Sequence, residues 1–120
     1  MSKHQIVHIE FSAKDPTEMR NFYSNLFGWK TDHMEDMDYV TFEGGDGPGG
    51  GFPRVGENIK AGTVLVYIST DDVDVSLAKA ESLGGKILTP KTEIPMTGWF
   101  GIFSDPSGNA VGLFQSLPSE

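Results

Sequence analysis

His8 and Glu10 are the two residues in this sequence whose types and spacing could do chemistry together. They lie within the stretch from Gln5 to Ser12, QIVHIEFS, whose alternation is typical of a β-strand. Side chains two positions apart on a strand point to the same face, so the imidazole and the carboxylate are expected to share one face. Such a pair could contact a polar ligand or serve as an acid/base pair. The alternative is a neutral histidine that is hydrogen-bonded inside the sheet.

A metal ion is not predicted at this pair. A stable divalent site needs three or four donors that converge on one point, and His8 and Glu10 supply only two. His4 and His33 show no recognisable ligand spacing, and the sequence contains no cysteine. We therefore predict no metal and no other cofactor.

The element that must position this strand is a helix that follows it directly. Asp15 is suited to be the N-cap, Pro16 to be the first helical residue, and Glu18 to complete a capping box. Gly28 is placed to end the helix in a left-handed conformation. The apolar residues recur at helical spacing and are expected to form the core beneath the helix: Met19, Phe22, Tyr23, Leu26 and Phe27.

The same pattern returns 56 positions later, where DDVDVSLAKAESLGGK matches DPTEMRNFYSNLFGWK in its acidic start, apolar stripe and glycine stop. A strand-like run precedes each copy. We therefore predict an α+β fold with the order β-α-β-β-β twice, the first module at about 4–55 and the second at about 61–116. The glycine-rich run GGDGPGGGFPR is interpreted as a mobile loop, or as a loop that leads into a short glycine-rich strand where another backbone or a ligand comes close. The fourth strand of the first module has the weakest signal.

Several large side chains are candidates for the wall of a ligand cavity, because aromatic walls supply apolar contact area at little entropic cost. The alternative is ordinary core packing or a dimer interface. Tyr39 and Tyr67 could place a phenol in such a cavity but fit better as half-buried strand residues. The predicted ligand-binding set is His8, Glu10, Trp29, Phe52, Met96, Trp99 and Phe114.

Composition limits the partners. The 120 residues carry nine basic and seventeen acidic side chains, a net charge of −8, which argues against nucleic acid because phosphate binding needs clustered Lys and Arg. The longest apolar runs are only strand-sized, and the N-terminus lacks the apolar segment of a signal peptide. A cytoplasmic protein without membrane contact is expected.

Two βαβββ modules in a chain of this length resemble the vicinal-oxygen-chelate superfamily, the group of glyoxalase I, bleomycin-resistance proteins and extradiol dioxygenases. The resemblance covers essentially the whole chain. It implies curled sheets around a cavity, commonly completed in a homodimer. Its carriers are VHIEFSAKDPTEMRNFYSNLFGW, DDVDVSLAKAESLGGKI and FSDPSGNAVGLFQ.

The resemblance also implies four positions for metal ligands in the metal-dependent members. His8 matches the first of them. The second falls in the glycine-rich strand, at Gly49 to Phe52, the third at Val64 or Leu65, and the fourth at Gly112. None of these residues has a ligating side chain.

Two functions from different classes follow. The first is a metal-independent protein that binds a small molecule in an apolar or aromatic cavity. The second is a lyase- or isomerase-type enzyme that acts on a small carbonyl compound with His8 and Glu10 as acid/base groups. A weaker third interpretation is a structural partner module, which predicts no accessible cavity.

Overall fold

A computed structural model describes residues 4–57 and 59–118, and in it the order β-α-β-β-β occurs twice. The predicted α+β class and element order are confirmed, and the fourth strand coincides with the glycine-rich run. The first repeat comprises β1 (Ile6–Phe11), α1 (Pro16–Phe27), β2 (Lys30–Met34), β3 (Tyr39–Glu43) and β4 (Gly49–Phe52), with a 3-10 turn at Glu35–Met37. The second comprises β5 (Val64–Ser69), α2 (Val73–Ser82), β6 (Lys86–Ile94), β7 (Gly98–Ser104) and β8 (Ala110–Ser116).

The chain divides into two compact units. The first unit is Val7–Leu65; the second begins at Val66 and also takes in the stretch that ends at Ile6. In the first unit the strands lie in the order β2-β3-β4-β1, with β1 parallel to β4 and the other pairs antiparallel. In the second unit the order is β5-β8-β7-β6, with β5 parallel to β8.

Helix α1 begins and ends where its sequence predicts. The Asp15 carboxylate accepts hydrogen bonds from the backbone N–H groups of Thr17, at 3.0 Å, and Glu18, at 3.4 Å. These bonds satisfy donors that the first turn of a helix otherwise leaves unpaired. At the other end, Gly28 has φ 73°, the left-handed conformation that a residue without a Cβ adopts at little cost.

The face that α1 buries is narrower than its apolar stripe predicts. Met19 and Tyr23 pack against the core, but Phe22, Leu26 and Phe27 are 55%, 56% and 60% exposed. The expectation that Phe22 and Phe27 are core residues is therefore wrong. Met19 and Tyr23 are one turn apart on the line that faces the sheet, whereas Phe22 and Leu26 lie on the neighbouring line. The buried residues of this core are Ala13, Val40, Phe42 and Phe52.

The second unit repeats this construction. The Asp72 carboxylate accepts from the backbone N–H of Val75 at 3.1 Å, so α2 begins one residue later than the 56-residue offset from Asp15 predicts. Residues Asp105-Pro-Ser-Gly108 form a turn, which is closed by a hydrogen bond of 2.9 Å from Gly108 N to Asp105 O. The core beneath α2 is Val73, Leu77 and Leu113, with Ile68, Trp99 and Phe103 packed against it.

Candidate functional site

The first unit carries a connected polar cluster on the face of its sheet away from α1. Phe11 packs in the core, so the alternation of β1 turns His8 and Glu10 to the opposite face. Val40 and Phe42 are core residues as well, which places Tyr39 on the same side as His8 and Glu10. We refer to these three residues as the His8–Tyr39–Glu10 cluster.

A phenol hydroxyl joins the two groups that the sequence singled out. The Tyr39 hydroxyl donates to Glu10 Oε2 at 2.7 Å, and its oxygen lies 2.8 Å from His8 Nε2. Because the phenol proton is directed to Glu10, the Nε2–H of His8 is the donor in the second bond. His8 Nε2 and Glu10 Oε2 are 3.6 Å apart. The cluster is thus one hydrogen-bonded chain from imidazole through phenol to carboxylate.

The members of the cluster differ in their access to solvent. The side chain of His8 is 33% exposed, whereas that of Glu10 is 15% exposed. A ligand approaching this face therefore meets the imidazole first, and the carboxylate stands behind it. This order suits a site in which His8 makes the direct contact and Glu10 acts through Tyr39.

The glycine-rich strand β4 leaves the space that the Tyr39 phenol occupies. Gly51 of β4 lies between its register partners Glu10 on β1 and Thr41 on β3. A Cβ at Gly51 would overlap the phenol carbon and oxygen of Tyr39, and one at Gly50 would overlap the carbonyl oxygen of Ile9. The predicted short strand is present, and the predicted approach of another backbone is confirmed at Gly50, whereas at Gly51 the close group is a side chain of β3, which was not predicted.

Sequence reasoning placed Tyr39 correctly on a half-buried strand but missed its partnership with His8 and Glu10. A signal was available. Tyr39 alternates with two residues of the apolar series, Val40 and Phe42, and the adjacent strand offers a glycine in place of a side chain. What was missing was the register that sets Thr41 opposite Gly51 and Gly51 opposite Glu10.

Two predicted cavity residues lie elsewhere in the first unit. Phe52 is 0% exposed and is stacked on Phe42, with ring centroids 5.1 Å apart. Trp29 is stacked between Phe42 at 4.5 Å and Tyr23 at 5.1 Å. Both rings are on the α1 side of the sheet, where they fill the core. The alternative of core packing describes both residues in this structure, and their contact with a ligand stays a prediction.

The remaining three predicted residues belong to the second unit and are not brought together. Trp99 packs against the core beneath α2, with the Lys91 Nζ 4.8 Å from its ring centroid. Phe114 follows the core residue Leu113 on β8 and therefore points to the opposite face of the sheet. Met96 is 94% exposed, in the turn between β6 and β7, with φ 63°. No single cavity wall within this unit combines all three.

The comparisons with known proteins agree with this architecture. Residues 5–113 match the model of the Glyoxalase/Bleomycin resistance protein/Dioxygenase superfamily. The chain belongs to this superfamily. It is 31% identical to a glyoxylase-like domain-containing protein of Didymella fabae, over 91% of both chains. It is 28% identical to "Putative glyoxylase CFP32" of Mycobacterium tuberculosis over 90% of this chain, but spans only 44% of that protein's length.

A solved structure extends the likeness in fold. The methylmalonyl-CoA epimerase of Mycobacterium tuberculosis superposes with a TM-score of 0.72 at 11% identity, covering 98% of this chain and 90% of the epimerase. At that level of identity the likeness concerns the fold alone.

The metal site that other members of the superfamily carry does not fit the residues of this one. Strand β4 offers only Gly49, Gly50, Gly51 and Phe52, so it places no donor beside His8. Within residues 4–57 and 59–118 no three His, Asp or Glu side chains are grouped so that they could hold a metal ion. Of the four ligand positions that the resemblance implies, only the first, His8, carries a ligating side chain. No chemical step is therefore assigned to a metal here.

Two pockets of this superfamily member lie away from the cluster. One of about 180 Å³ lies at the start of α1 and is lined in part by Lys14, Glu18 and Val55. The other, of about 390 Å³, lies against α2 in the second unit and is lined in part by Lys79 and Phe103. Neither is lined by a member of the cluster. None of the described helices is long and apolar enough to cross a membrane.

Proposed function

We propose that this superfamily member binds a small molecule with a polar group, without a metal ion, and that the His8–Tyr39–Glu10 cluster contacts that group. The observation that carries the proposal is the hydrogen-bonded chain of three polar side chains on the sheet face away from the core. Its partial burial strengthens hydrogen bonds to a ligand, because the local dielectric constant is lower than that of water.

The chemistry of the ligand follows from the donors and acceptors. His8 is more exposed than Glu10, and its imidazole, whose Nε2–H donates to Tyr39, can accept a hydrogen bond from a hydroxyl or carboxyl group when neutral and donate one to a carbonyl oxygen when protonated. Trp29 and Phe52 are occupied in the core and are not part of the proposed contact surface. The proposal therefore rests on polar recognition more than on an aromatic wall.

Thermal unfolding tests the proposal. The protein is mixed with a panel of small aldehydes, ketones, carboxylic acids and aromatic compounds, because a compound that binds only the native state raises the melting temperature. For a compound that does so, His8→Gln is expected to weaken binding about 2- to 10-fold, the loss of one hydrogen bond of about 0.5–1.5 kcal/mol. His33→Gln, an exposed histidine of β2, is the matched control and is expected to leave binding unchanged.

Two results would contradict the proposal. Equal affinity of the wild type and His8→Gln for every compound that binds would place the ligand away from the cluster. A rise in melting temperature with divalent metal ions that His8→Gln abolishes would show that the donors suffice for a metal after all.

A second function is favoured by one feature, the phenol that connects an imidazole to a carboxylate. Such a chain can move a proton between a bound carbonyl compound and solvent, with His8 and Glu10 as the acid/base groups and Tyr39 between them. One of the similar proteins bears the name of an enzyme, a putative glyoxylase. The test is hydrogen–deuterium exchange at the carbon beside the carbonyl group of a bound compound, followed by NMR in D₂O. Exchange that Tyr39→Phe slows about 100-fold or more supports catalysis; exchange no faster than without protein leaves binding alone.

A further inference from the structure

Tyr39 lies just beyond the end of the β3–β4 ladder, although on the other side of β3 it pairs with Met34 of β2. The ladder between β3 and β4 pairs Phe42 with Gly50, Thr41 with Gly51 and Val40 with Phe52, and it stops there. The next residue of β4's chain is Pro53, which has no backbone N–H to donate to Tyr39. The start of β3 therefore needs another attachment on this side.

That attachment is an ion pair one position further on. Arg54 Nε donates to Asp38 Oδ2 at 2.6 Å, and Arg54 Nη2 donates to Asp38 Oδ1 at 3.3 Å. Two parallel bonds between a guanidinium and a carboxylate fix orientation as well as distance. Asp38 directly precedes Tyr39, so the pair holds the backbone from which the phenol projects.

Arg54 is itself anchored at the exit of β1. Its backbone forms a parallel bridge with Ala13, flanked by bonds of 2.8 Å from Ala13 N to Pro53 O and from Val55 N to Ala13 O. Its Nη1 also donates to the carbonyl oxygen of Lys14 at 3.1 Å. The guanidinium thus links the end of β1, the strand that carries His8 and Glu10, to the start of β3.

Asp38 also adopts a backbone conformation that needs support. Its φ of 48° is left-handed, which is uncommon for residues other than glycine, although Asp and Asn tolerate it better than most. The hydrogen bonds from Arg54 hold the pKa of Asp38 below its ordinary value of 3.8, so the carboxylate stays charged at neutral pH.

We infer that Arg54 and Asp38 are positioning residues for the site: their ion pair, at the point where the β3–β4 ladder ends, sets the Tyr39 phenol over Gly51 and between His8 and Glu10. This inference deepens the proposed function and rests on it for the use made of the phenol. The geometry itself can be tested without a ligand.

The test is ¹⁹F NMR of protein labelled with 3-fluorotyrosine. The sequence contains three tyrosines, and single Tyr→Phe variants assign their resonances. Asp38→Asn removes the charge while keeping a residue that tolerates a left-handed backbone, and Arg54→Met removes the guanidinium. Both variants are expected to shift and broaden the Tyr39 resonance and to leave that of Tyr23, in the core, unchanged. Arg54→Lys keeps the charge without the two-pronged contact and is expected to give an intermediate effect.

The matched control is Asp74→Asn, which removes an exposed carboxylate that lies 4.0 Å from Lys91 in the other compact unit. It is expected to leave the Tyr39 resonance unchanged. If Asp38→Asn and Arg54→Met lower the melting temperature but do not move this resonance, the pair is merely structural and the inference is overturned. Failure of the proposed function would show itself differently, as the absence of binding by the wild type with the Tyr39 resonance still responding to both substitutions.

Discussion

Gly51→Ala is the substitution that should disturb the cluster most directly. The added methyl group would occupy the space of the Tyr39 phenol, so the ring must leave its place between His8 and Glu10. The protein then loses a hydrogen bond to a carboxylate, worth about 1.5–3 kcal/mol, and one between imidazole and phenol, worth about 0.5–1.5 kcal/mol. Alanine also lowers the conformational entropy of the unfolded chain, which offsets this loss of stability by about 0.4–1 kcal/mol. We expect the free energy of unfolding to fall by about 1–4 kcal/mol.

Urea unfolding at neutral pH measures this change, with the slope m compared among variants to confirm that the same surface is exposed. Gly47→Ala is the control, since a Cβ there would meet no atom within 4 Å. It is expected to be neutral or slightly stabilising.

A double-mutant cycle shows whether the phenol is the cause. In a Tyr39→Ala background the methyl group at position 51 has room, so Gly51→Ala should then cost little, and the coupling energy should be about 2 kcal/mol. In a Tyr39→Phe background the hydroxyl bonds are already lost, so Gly51→Ala should cost less than in the wild type, and only the displacement of the ring remains. If Gly51→Ala destabilises the Tyr39→Ala protein as much as the wild type, the phenol does not lie over Gly51 and the described cluster is refuted.

Two further predictions concern the rest of the chain. Phe52→Ala should lower the free energy of unfolding by about 3–5 kcal/mol because the Phe52 side chain is 0% exposed. Phe22→Ala should cost far less, because Phe22 is 55% exposed. Equal costs in a denaturant titration would contradict the exposure of Phe22 on α1. Asp105 accepts hydrogen bonds from the Asn109 side chain and from backbone N–H groups, which lower its pKa below 3.8. Its contribution to stability is present above 3.8 and lost as the pH falls through the lowered pKa, so the drop in melting temperature caused by Asp105→Asn should be largest at pH 6 and should shrink as the pH is lowered below 3.8.

The parts of the fold that depend on neighbouring residues alone could be predicted from the sequence. Asp15, Pro16 and Gly28 define the ends of α1 through bonds within one turn and a single left-handed residue, and no distant contact is needed to place them. The extent of burial could not be predicted in the same way. The stripe on α1 indicates which direction is apolar, but Phe22 and Phe27 are left exposed by what the sheet covers, and that depends on strands from elsewhere in the chain.

The candidate site could likewise be predicted only where it depends on a single strand. The alternation of β1 predicts that His8 and Glu10 share a face, because that follows from one strand. The packing of Phe52 in the core could not be predicted, because a strand of four residues, three of them glycine, carries no apolar alternation from which its buried face could be recognised. The partnership with Tyr39 needs still more, namely the register of three strands at once.

The role of Gly51 shows that the information missing from the sequence is the pairing of distant strands. A glycine in a strand indicates that something comes close, but the sequence does not say from which side or from which strand. Once the register sets Gly51 between Glu10 and Thr41, the alternation of β3 leaves Tyr39 as the side chain that can cross it. The absence of a Cβ at one position thus connects two acid/base groups through a third, and a methyl group there should separate them.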